Sequence, residues 1–519
     1  MSENRETLTA RAPIFPLMDL DHDACYRAIQ TRDARFDGRL FTGVKTTGIY
    51  CRPVCPARTP KRENVNFYPT AAAAQEAGFR PCLRCRPETS PDLGAWRGSS
   101  NTVSRALRLI EAGALDAADV DALAGRLGVG ERQLRRLFKV HLGASPIAVA
   151  QTRRVLLAKQ LIHETLLPMV QVAMAAGFGS VRRFNETFQQ LYDRPPRALR
   201  RSSAPDEPTA GAVTLKLAYR APYDWQAMLA FLAARAIPGV EVVRDGVYAR
   251  AIELDGVRGA LRVAPAVGES RLAVAINFPR LDLLPAIIAR LRRVFDLAAD
   301  PLTIGAHLAE DPELAPLVAA RPGLRVPGAW DGFEMAVRAV LGQQITVSAA
   351  IALAGRVARE YGGPIPEPLP GFESIAHAFP SAERLAGVDL SGLPMPRARS
   401  KALEALAAAA AADPDLFGPR GDLETAITRL TALPGIGEWT AQYIAMRQLR
   451  EPDAFPAADI GLMRAMASAD GVRPDARALL ARAERWRPWR AYAAQHLWAA
   501  DPAAAKPTKE PSDARQQAA

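Results

Sequence analysis

A glycine-containing reversal between two helices, LPGIG, constrains this chain more than any other segment. Residues 423–433 carry apolar side chains at helical spacing, which predicts an amphipathic helix. Pro434 ends that helix, and Gly435 and Gly437 permit positive φ and a tight reversal. A second helix is predicted over residues 438–447. Such a hairpin presents free backbone N–H groups beside a helix N-terminus, and these groups can bind an anion such as a phosphate.

An aspartate follows this hairpin. Asp459 lies about ten residues beyond the second helix and precedes an apolar run, so it fits a helix N-cap. LPGIG with Trp439, Tyr443 and this aspartate after FPAA resembles the helix-hairpin-helix DNA glycosylases, in particular the AlkA-type 3-methyladenine glycosylases. Residues 484–498, ERWRPWRAYAAQHLW, resemble the C-terminal signature of the same family. The resemblance implies that Asp459 is catalytic and that the hairpin glycines bind DNA, while the helix-cap role stays compatible with both.

The same resemblance implies further site residues. Trp439, Tyr443 and Trp498 are expected to form an aromatic pocket for the damaged base, although each also fits a helix core. Gln343 and Gln344 lie in a segment that resembles the family's minor-groove loop, so they are expected to contact DNA; buried or helix-capping glutamines are the alternative. The best-known relative has a leucine wedge near the position of Gln344, so a wedge role here stays open. Bifunctional relatives carry a lysine nucleophile at the position of Trp439, which implies a monofunctional glycosylase.

The cysteines are confined to the first 85 residues. Four of them form a C-x3-C pair and a C-x2-C pair, a spacing that predicts one zinc ion held by four thiolates rather than disulfides. The ligands would be Cys51, Cys55, Cys82 and Cys85. Cys25 falls outside the pattern and is expected to be buried. A purely structural zinc module is the alternative to a reactive one.

The residues around these cysteines favour a reactive zinc site over a purely structural one. FTGVKTTGIYCRPVC and RENVNFYPTAAAAQEAGFRPCLRC resemble the N-terminal domain of Ada-type DNA repair proteins over about residues 19–87. The resemblance implies stoichiometric methyl transfer from a DNA methylphosphotriester to Cys51. Basic side chains nearby are expected to hold the flanking phosphates; they are Lys45, Arg52, Arg58, Lys61, Arg62, Arg80, Arg84 and Arg86. No cysteine follows residue 85, which excludes a four-cysteine iron–sulfur cluster and a second methyl-accepting cysteine further along.

Residues 118–146 and 169–196 each predict a helix, a glycine-containing turn and a second helix. The pair, including GFGSVRRFNETFQQLYDRPP, resembles the AraC-type transcription regulators over about residues 101–201. The second helix of each unit is expected to enter the major groove; a solvated helix face is the alternative. The DNA-contacting residues would be Arg132, Arg135 and Arg136 in the first unit and Arg182, Arg183 and Asn185 in the second. Methylation of Cys51 would remove one negative charge and tighten DNA binding.

Length and charge agree with these motifs. A chain of 519 residues accommodates several domains, and a net charge of +11 favours a polyanionic partner. No apolar run long enough for a membrane span and no signal peptide are evident, so we expect a cytoplasmic protein. Residues 213–298 carry four strand-like stretches, VTLKLAYR, YARAIEL, ALRVAPA and LAVAINF, with a helix between the first two. They resemble the AlkA N-terminal subdomain, and we expect a scaffold without chemistry there.

The predicted fold class is multidomain, mainly α with α+β parts: a small zinc domain, a double helix-turn-helix, a mixed α/β subdomain and an all-α helix-hairpin-helix domain. The predicted boundaries are 1–90, 98–201, 212–298 and 299–502, with a disordered tail over 503–519. The predicted function is repair of alkylated double-stranded DNA by methyl transfer and base excision, coupled to activation at a promoter. Expected partners are alkylated DNA, promoter DNA and RNA polymerase, with the protein a monomer. The alternatives are a regulator whose glycosylase-like half only binds damage, and a zinc DNA-binding scaffold without chemistry.

Overall fold

The computed structural model describes residues 21–91, 101–200, 212–468 and 470–501. Most of the predicted linkers at 90–100 and 202–212, and the predicted tail at 503–519, lie outside these residues. Within the described residues, none of the helices has the length and apolar character needed to cross a membrane.

The first domain is a small sheet with two helices. Strand β1 pairs antiparallel with β2 and β3, and β2 pairs parallel with β4, which gives the strand order β3-β1-β2-β4. Helix α1 covers one part of this sheet and buries Cys25, which is 1% exposed as predicted. The elements are α1 His22–Gln30, β1 Phe41–Val44, β2 Ile49–Cys51, β3 Val65–Tyr68, α2 Ala71–Glu76 and β4 Arg80–Pro81.

The second segment contains the two predicted helix-turn-helix units. Gly128 and Gly177 adopt positive φ in the two turns, as a sharp reversal between helices requires. A long helix, α7, joins the units. The elements are α3 Asn101–Glu111, α4 Ala114–Ala117, α5 Val120–Arg126, α6 Glu131–Leu142, α7 Pro146–Glu164, α8 Met169–Ala175 and α9 Val181–Tyr192.

A five-stranded antiparallel sheet of order β5-β9-β8-β7-β6 follows. The sequence predicted four of these strands and missed β6, which is a short edge strand whose residues are all partly exposed or exposed. The elements are β5 Val213–Ala218, α10 Trp225–Ala233, β6 Glu241–Arg244, β7 Val247–Leu254, β8 Val257–Pro265, β9 Arg271–Asn277 and α11 Leu284–Val294.

The remaining segment is helical apart from one two-residue strand pair, β10 Gly363–Pro364 with β11 His377–Ala378. The predicted hairpin is confirmed, and the helix after it continues into a π-helical turn at Ala445–Leu449. The helices are α12 Pro301–Leu308, α13 Ala315–Ala320, α14 Gly332–Leu341, α15 Val347–Tyr361, α16 Ala382–Leu385, α17 Arg397–Ala412, α18 Leu423–Thr431, α19 Glu438–Ile444, α20 Ile460–Ala465, α21 Ala476–Ala483 and α22 Arg490–Ala500.

Hydrophobic cores cross the predicted boundaries. One core joins α7, α8 and α9 of the second helix-turn-helix unit to the five-stranded sheet and α11, so Leu161 and Phe184 share a cluster with Leu215 and Ile287. A second large core lies mainly in the helical segment and also includes Ile237 and Val240; Trp486 and Tyr492 are almost fully buried in it. The second unit and the sheet therefore support one another, because burial of apolar surface is the main stabilising contribution in such cores.

Candidate functional site

The carboxylate of Asp459 is held by three N–H donors. Asp459 is the N-cap of α20, and its Oδ1 accepts from the Leu462 backbone N–H at 3.0 Å. The same oxygen accepts from Trp498 Nε1 at 2.9 Å, and Oδ2 accepts from Trp439 Nε1 at 3.0 Å. The N-cap prediction is therefore confirmed, and the same carboxylate lies between two indole N–H donors.

The three predicted pocket aromatics lie together beside this carboxylate. The rings of Trp439 and Tyr443 stack nearly parallel, with centroids 5.2 Å apart and 9° between the planes. Trp498 meets Tyr443 edge-on at 6.2 Å. Helical spacing places Trp439 and Tyr443 on one face of α19, and the fold adds Trp498 from α22. The three side chains form a partly exposed aromatic slot, a term we use for these residues below.

Sequence reasoning missed the back wall of the aromatic slot. Arg447 lies one turn beyond Tyr443. Phe231 belongs to α10 and Arg235 follows that helix, in a subdomain that was expected to carry no chemistry. Burial tends to raise the pKa of the Tyr443 hydroxyl, but the positive charges and hydrogen bonds of Arg447 and Arg235 outweigh it, so the pKa is lowered. The spacing of Arg447 from Tyr443 could have indicated its position; no local signal connects Phe231 to the slot.

The hairpin uses only one of its two glycines for positive φ. Gly435 has φ of +79°, and a Cβ there would lie 2.6 Å from the Ala402 Cβ. Gly437 does not use the positive φ that its sequence position permits: its φ is −84°, which any residue can adopt. A Cβ at Gly437 would meet nothing within 4 Å, so this N-terminus of α19 is open to an approaching group.

The two glutamines of the loop between α14 and α15 differ in environment. Gln343 Nε2 donates to the Gly435 carbonyl at 2.8 Å and ties the loop to the hairpin. Its own carbonyl accepts from Arg399. Gln344 is exposed and has φ of +59°, an uncommon conformation for a residue with a side chain. Gln344 is therefore the loop residue that faces outward.

The four cysteines predicted as ligands come together in the first domain. Their sulfur atoms all lie within 4.8 Å of one another, and all five cysteines of the chain are free of disulfides. The backbone N–H groups of Arg52 and Arg84 donate to the sulfurs of Cys85 and Cys82, each at 3.3 Å, as thiolate ligands require. Cys51 and Cys55 are partly exposed, whereas Cys82 and Cys85 are buried. This donor set fits one zinc ion.

Two of the predicted phosphate-binding arginines face inward instead. Arg52 donates from Nε to Asp37 Oδ1 at 2.9 Å and from Nη1 to Thr89 Oγ1 at 2.6 Å, and its side chain is only 13% exposed. Arg86 pairs with Glu88 and with Glu164 of α7. Their role as phosphate ligands is therefore wrong, because the structure uses their charges to hold the zinc domain together and to dock it. Lys45, Arg58, Lys61, Arg62 and Arg84 are exposed.

The predicted DNA-reading side chains are exposed on α6 and α9. Arg132, Arg135 and Arg136 lie on the solvent face of α6, and Arg182, Arg183 and Asn185 do so on α9. Arg135 pairs with Glu131 and Arg182 with Glu186, one turn apart in each case. Exposed pairs of this kind are weak, so both guanidinium groups stay available to a stronger partner.

A cavity of about 1490 Å³ lies elsewhere, between α3, the sheet and the helical segment. Its lining includes Arg293, Trp330 and Glu334 but neither Asp459 nor the aromatic slot. The arginines and acids of this cavity are mostly paired with each other or with carbonyl groups, as Arg250 is with Glu334 at 2.8 Å. The cavity is a junction between segments rather than a centre of chemistry.

Comparison with known proteins identifies the domains of the chain. Family models match over four segments: the metal binding domain of Ada at 24–88, a helix-turn-helix domain at 123–202, the AlkA N-terminal domain at 214–331, and the HhH-GPD superfamily base excision DNA repair protein at 337–491. The zinc domain, the paired DNA-reading units and the hairpin with its aspartate thus define a multidomain DNA repair protein with a glycosylase half.

Individual relatives narrow this class. The chain is 46% identical over 482 residues to the probable bifunctional transcriptional activator/DNA repair enzyme AlkA of Mycobacterium tuberculosis, which covers 92% of this chain and 96% of that protein. The chain belongs to this family of bifunctional activator and repair proteins. It is also 39% identical to the DNA-3-methyladenine glycosylase 2 of Escherichia coli, over 54% of this chain and 95% of that protein. The Ada protein of Escherichia coli is 39% identical over 26% of this chain and 37% of its own length.

These findings establish the class of enzyme, its macromolecular partner and its metal. The protein is a DNA repair enzyme of the glycosylase class, DNA is its partner, and one zinc ion is bound by Cys51, Cys55, Cys82 and Cys85. The predicted family, fold class and cofactor are confirmed.

Proposed function

We propose that the glycosylase half excises alkylated bases such as 3-methyladenine by monofunctional hydrolysis of the N-glycosidic bond, with Asp459 as the catalytic carboxylate. The observation that carries this proposal is the position of that carboxylate, fixed by two indole N–H groups at the aromatic slot. A base flipped out of the duplex would enter the slot formed by Trp439, Tyr443 and Trp498. Open backbone N–H groups at Gly437, next to Gly435, would bind the DNA backbone beside the lesion.

The chemistry follows from the charge that develops during bond cleavage. The electron pair of the C1′–N bond moves onto the base, and the sugar acquires oxocarbenium character. An ionised carboxylate nearby stabilises that positive charge, and it can accept a proton from the water whose oxygen bonds to C1′. Gln344, exposed at the tip of its loop, would occupy the space left by the extruded base, with Gln343 bracing the loop against the hairpin.

The test of this proposal is release of free 3-methyladenine from alkylated DNA. We expect Asp459→Asn to lower the single-turnover rate by at least about 100-fold, the scale for losing one preorganised electrostatic group. Asparagine still caps a helix, so α20 should form and binding to an abasic-site analogue should persist. Asp475→Asn is the matched control, because Asp475 caps α21 in the same way but lies away from the slot. Release at the wild-type rate by Asp459→Asn would leave Asp459 as a helix cap only.

We propose a second activity at the zinc domain: transfer of a methyl group from a DNA methylphosphotriester to Cys51. Bound zinc keeps its sulfur ligands as thiolates at neutral pH. The Cys51 sulfur would form a bond to the methyl carbon as the carbon–oxygen bond breaks, and the electron pair would restore a negative phosphodiester. The partial exposure of Cys51 and Cys55, against the burial of Cys82 and Cys85, supports an acceptor on the first pair. Peptide mass mapping after incubation with methylphosphotriester DNA should place one methyl on Cys51; a methyl on another ligand would contradict the assignment.

The regulatory proposal concerns α6 and α9. Transfer to Cys51 removes one negative charge near the DNA, so promoter affinity should rise, with Arg132, Arg135 and Arg136, and Arg182, Arg183 and Asn185, reading the two half-sites. The gain should shrink as salt rises. We further propose that the protein acts as a cytoplasmic monomer, contacts RNA polymerase at the promoter, and has its boundaries at 1–90, 98–201, 212–298 and 299–502. Equal promoter affinity before and after methyl transfer at low salt would overturn the switch.

A further inference from the structure

A buried arginine lies behind the aromatic slot. Arg447 is 2% exposed, and its guanidinium carbon lies 4.5 Å from the ring centroid of Phe231, 5.1 Å from that of Tyr443 and 5.3 Å from that of Trp498. Three aromatic rings from three different helices thus face one cation. Since Phe231 belongs to α10, the subdomain before the glycosylase segment contributes to this wall.

The hydrogen-bond acceptors of Arg447 are neutral. Its Nη1 donates to the Pro327 carbonyl at 3.0 Å and to Gln495 Oε1 at 3.2 Å. Burial lowers the pKa of Arg447 to about 10, so the group still carries its charge at neutral pH. A buried charge is costly unless it is compensated, and ring faces offset only part of that cost. Buried ionisable groups with shifted pKa values cluster at functional sites.

Trp498 connects this cation to Asp459. Its indole N–H donates to Asp459 Oδ1 at 2.9 Å, while its ring lies against the Arg447 guanidinium. Trp439 contacts the carboxylate through its own N–H, and Tyr443 contacts the cation. The aromatic slot therefore has negative charge on one part of its wall and positive charge on another.

This separation of charge matches the direction of electron flow in N-glycosidic cleavage. The C1′–N bond breaks, its electron pair goes to the base, and the water oxygen bonds to C1′ while a water proton goes to Asp459. A cationic base becomes neutral and a neutral base becomes anionic, so in both cases the base gains negative charge. A cation near the base stabilises the negative charge that the base gains, and a carboxylate near the sugar stabilises the positive charge that develops there.

We propose that Arg447 is the electrostatic counterpart of Asp459 and that its charge assists the departure of the base, most strongly for uncharged damaged bases, which are poor leaving groups. The proposal rests on the glycosylase function proposed above. For a base that is already cationic, Arg447 weakens binding in the ground state and is relieved of repulsion as the bond breaks. Its charge thus broadens the range of bases that the aromatic slot can release.

The test compares two lesions in otherwise identical duplexes, cationic 7-methylguanine and neutral hypoxanthine, under single-turnover conditions. We expect Arg447→Met to lower the rate on hypoxanthine by about 100-fold and the rate on 7-methylguanine by less than about tenfold. Binding of the 7-methylguanine duplex should tighten. Arg447→Lys keeps a cation and should recover at least about tenfold of the loss on hypoxanthine. Arg447→Gln, which retains an N–H donor for the Pro327 carbonyl, replaces the methionine variant should that variant fail to fold.

The matched control is Arg325→Met. Arg325 is likewise buried, lies 4.8 Å over the Tyr223 ring and donates to backbone carbonyls, but it is remote from Asp459. This variant should lose stability and keep the wild-type ratio of the two rates. Equal losses on both lesions in Arg447→Met, or a wild-type chain that excises 7-methylguanine but not hypoxanthine, would overturn the role of Arg447. Release of neither base by the wild type would instead overturn the glycosylase function itself.

Discussion

At the scale of single residues, the orientation of the Asp459 carboxylate depends on its two indole donors. Trp439→Phe keeps an aromatic ring in the slot and removes the N–H that holds Oδ2. A hydrogen bond to a charged group contributes about 1.5–3 kcal/mol, so we expect single-turnover excision to fall by about tenfold or more. Rates on a 7-methylguanine duplex measure this effect.

A second buried indole provides the control for that substitution. Trp486 Nε1 donates to Asp311 Oδ2 at 2.9 Å, in the same helical core but away from the slot. Trp486→Phe should lower the melting temperature and leave excision per folded molecule at the wild-type rate. A similar loss of rate in both variants would mean that the indole N–H of Trp439 has no special role.

Buried His496 on α22 makes the stability of the protein depend on pH. Burial lowers its pKa to about 4 from an ordinary value of 6.5. The unfolded chain therefore binds a proton on His496 between these values and the folded chain does not, so the free energy of unfolding falls as the pH falls through this window. The loss amounts to about 2 kcal/mol between pH 7 and pH 5. Urea unfolding of His496→Gln should show a shallower pH dependence than the wild type; equal slopes would contradict this contribution.

At the scale of elements, the two glycines of the hairpin between α18 and α19 have different roles. Gly435 is needed for the backbone conformation, whereas Gly437 leaves space for a ligand. Gly435→Ala places a Cβ at positive φ and 2.6 Å from the Ala402 Cβ, and should destabilise the fold by about 1–3 kcal/mol. Gly437→Ala meets neither obstacle and should unfold at the wild-type denaturant midpoint. Because its methyl group points into open space at the N-terminus of α19, Gly437→Ala should still weaken binding to an abasic-site duplex. Equal stability losses in the two variants would refute this division.

At the scale of the whole molecule, the zinc domain is docked onto α7 by a buried ion pair. Lys159 Nζ donates to Glu88 Oε2 and to the Cys82 carbonyl, both at 2.8 Å, and both charged side chains are at most 1% exposed. Lys159→Met leaves the buried Glu88 carboxylate with Arg86 as its remaining partner. The loss of one charged hydrogen bond should cost about 1.5–3 kcal/mol in thermal or denaturant unfolding. Lys139→Met is the control, because the Lys139 pair with Glu76 joins the same two domains at the surface and should contribute at most about 1 kcal/mol.

Zinc removal should also affect residues outside the zinc domain, because the ion pair between Lys159 and Glu88 docks that domain onto α7. Without the metal the four thiolates repel one another, and the loop that carries Cys82 and Glu88 loses its anchor. We expect chelation to unfold the first domain and to accelerate amide exchange in the middle of α7, around Lys159. Exchange in α17 and α22 should not change, since these helices belong to a separate core. Unchanged exchange in α7 would show that the docking does not depend on zinc.

Local sequence signals determined the parts of this protein whose chemistry is carried by neighbouring residues. The four cysteines, the hairpin, the cap-like Asp459 and the paired recognition helices all follow from spacing, because a turn, a ligand pair or a helix face needs only a few residues. The zinc ion was predictable for that reason, whereas the family and the mixed fold class were predicted from the resemblance of longer motifs to known families. Strand β6 was missed because a four-residue edge strand that is nowhere fully buried leaves almost no pattern.

The tertiary structure alone decided what surrounds those residues. Arg447 meets Phe231 across more than two hundred positions, and Lys159 reaches Glu88 across 71. The inward turn of Arg52 onto Asp37 likewise reverses its predicted role. In each case an arginine or lysine has the same appearance in the sequence whether it faces solvent, DNA or a buried acceptor. Its environment is set by the packing of distant helices and strands, and that packing determines what its charge does.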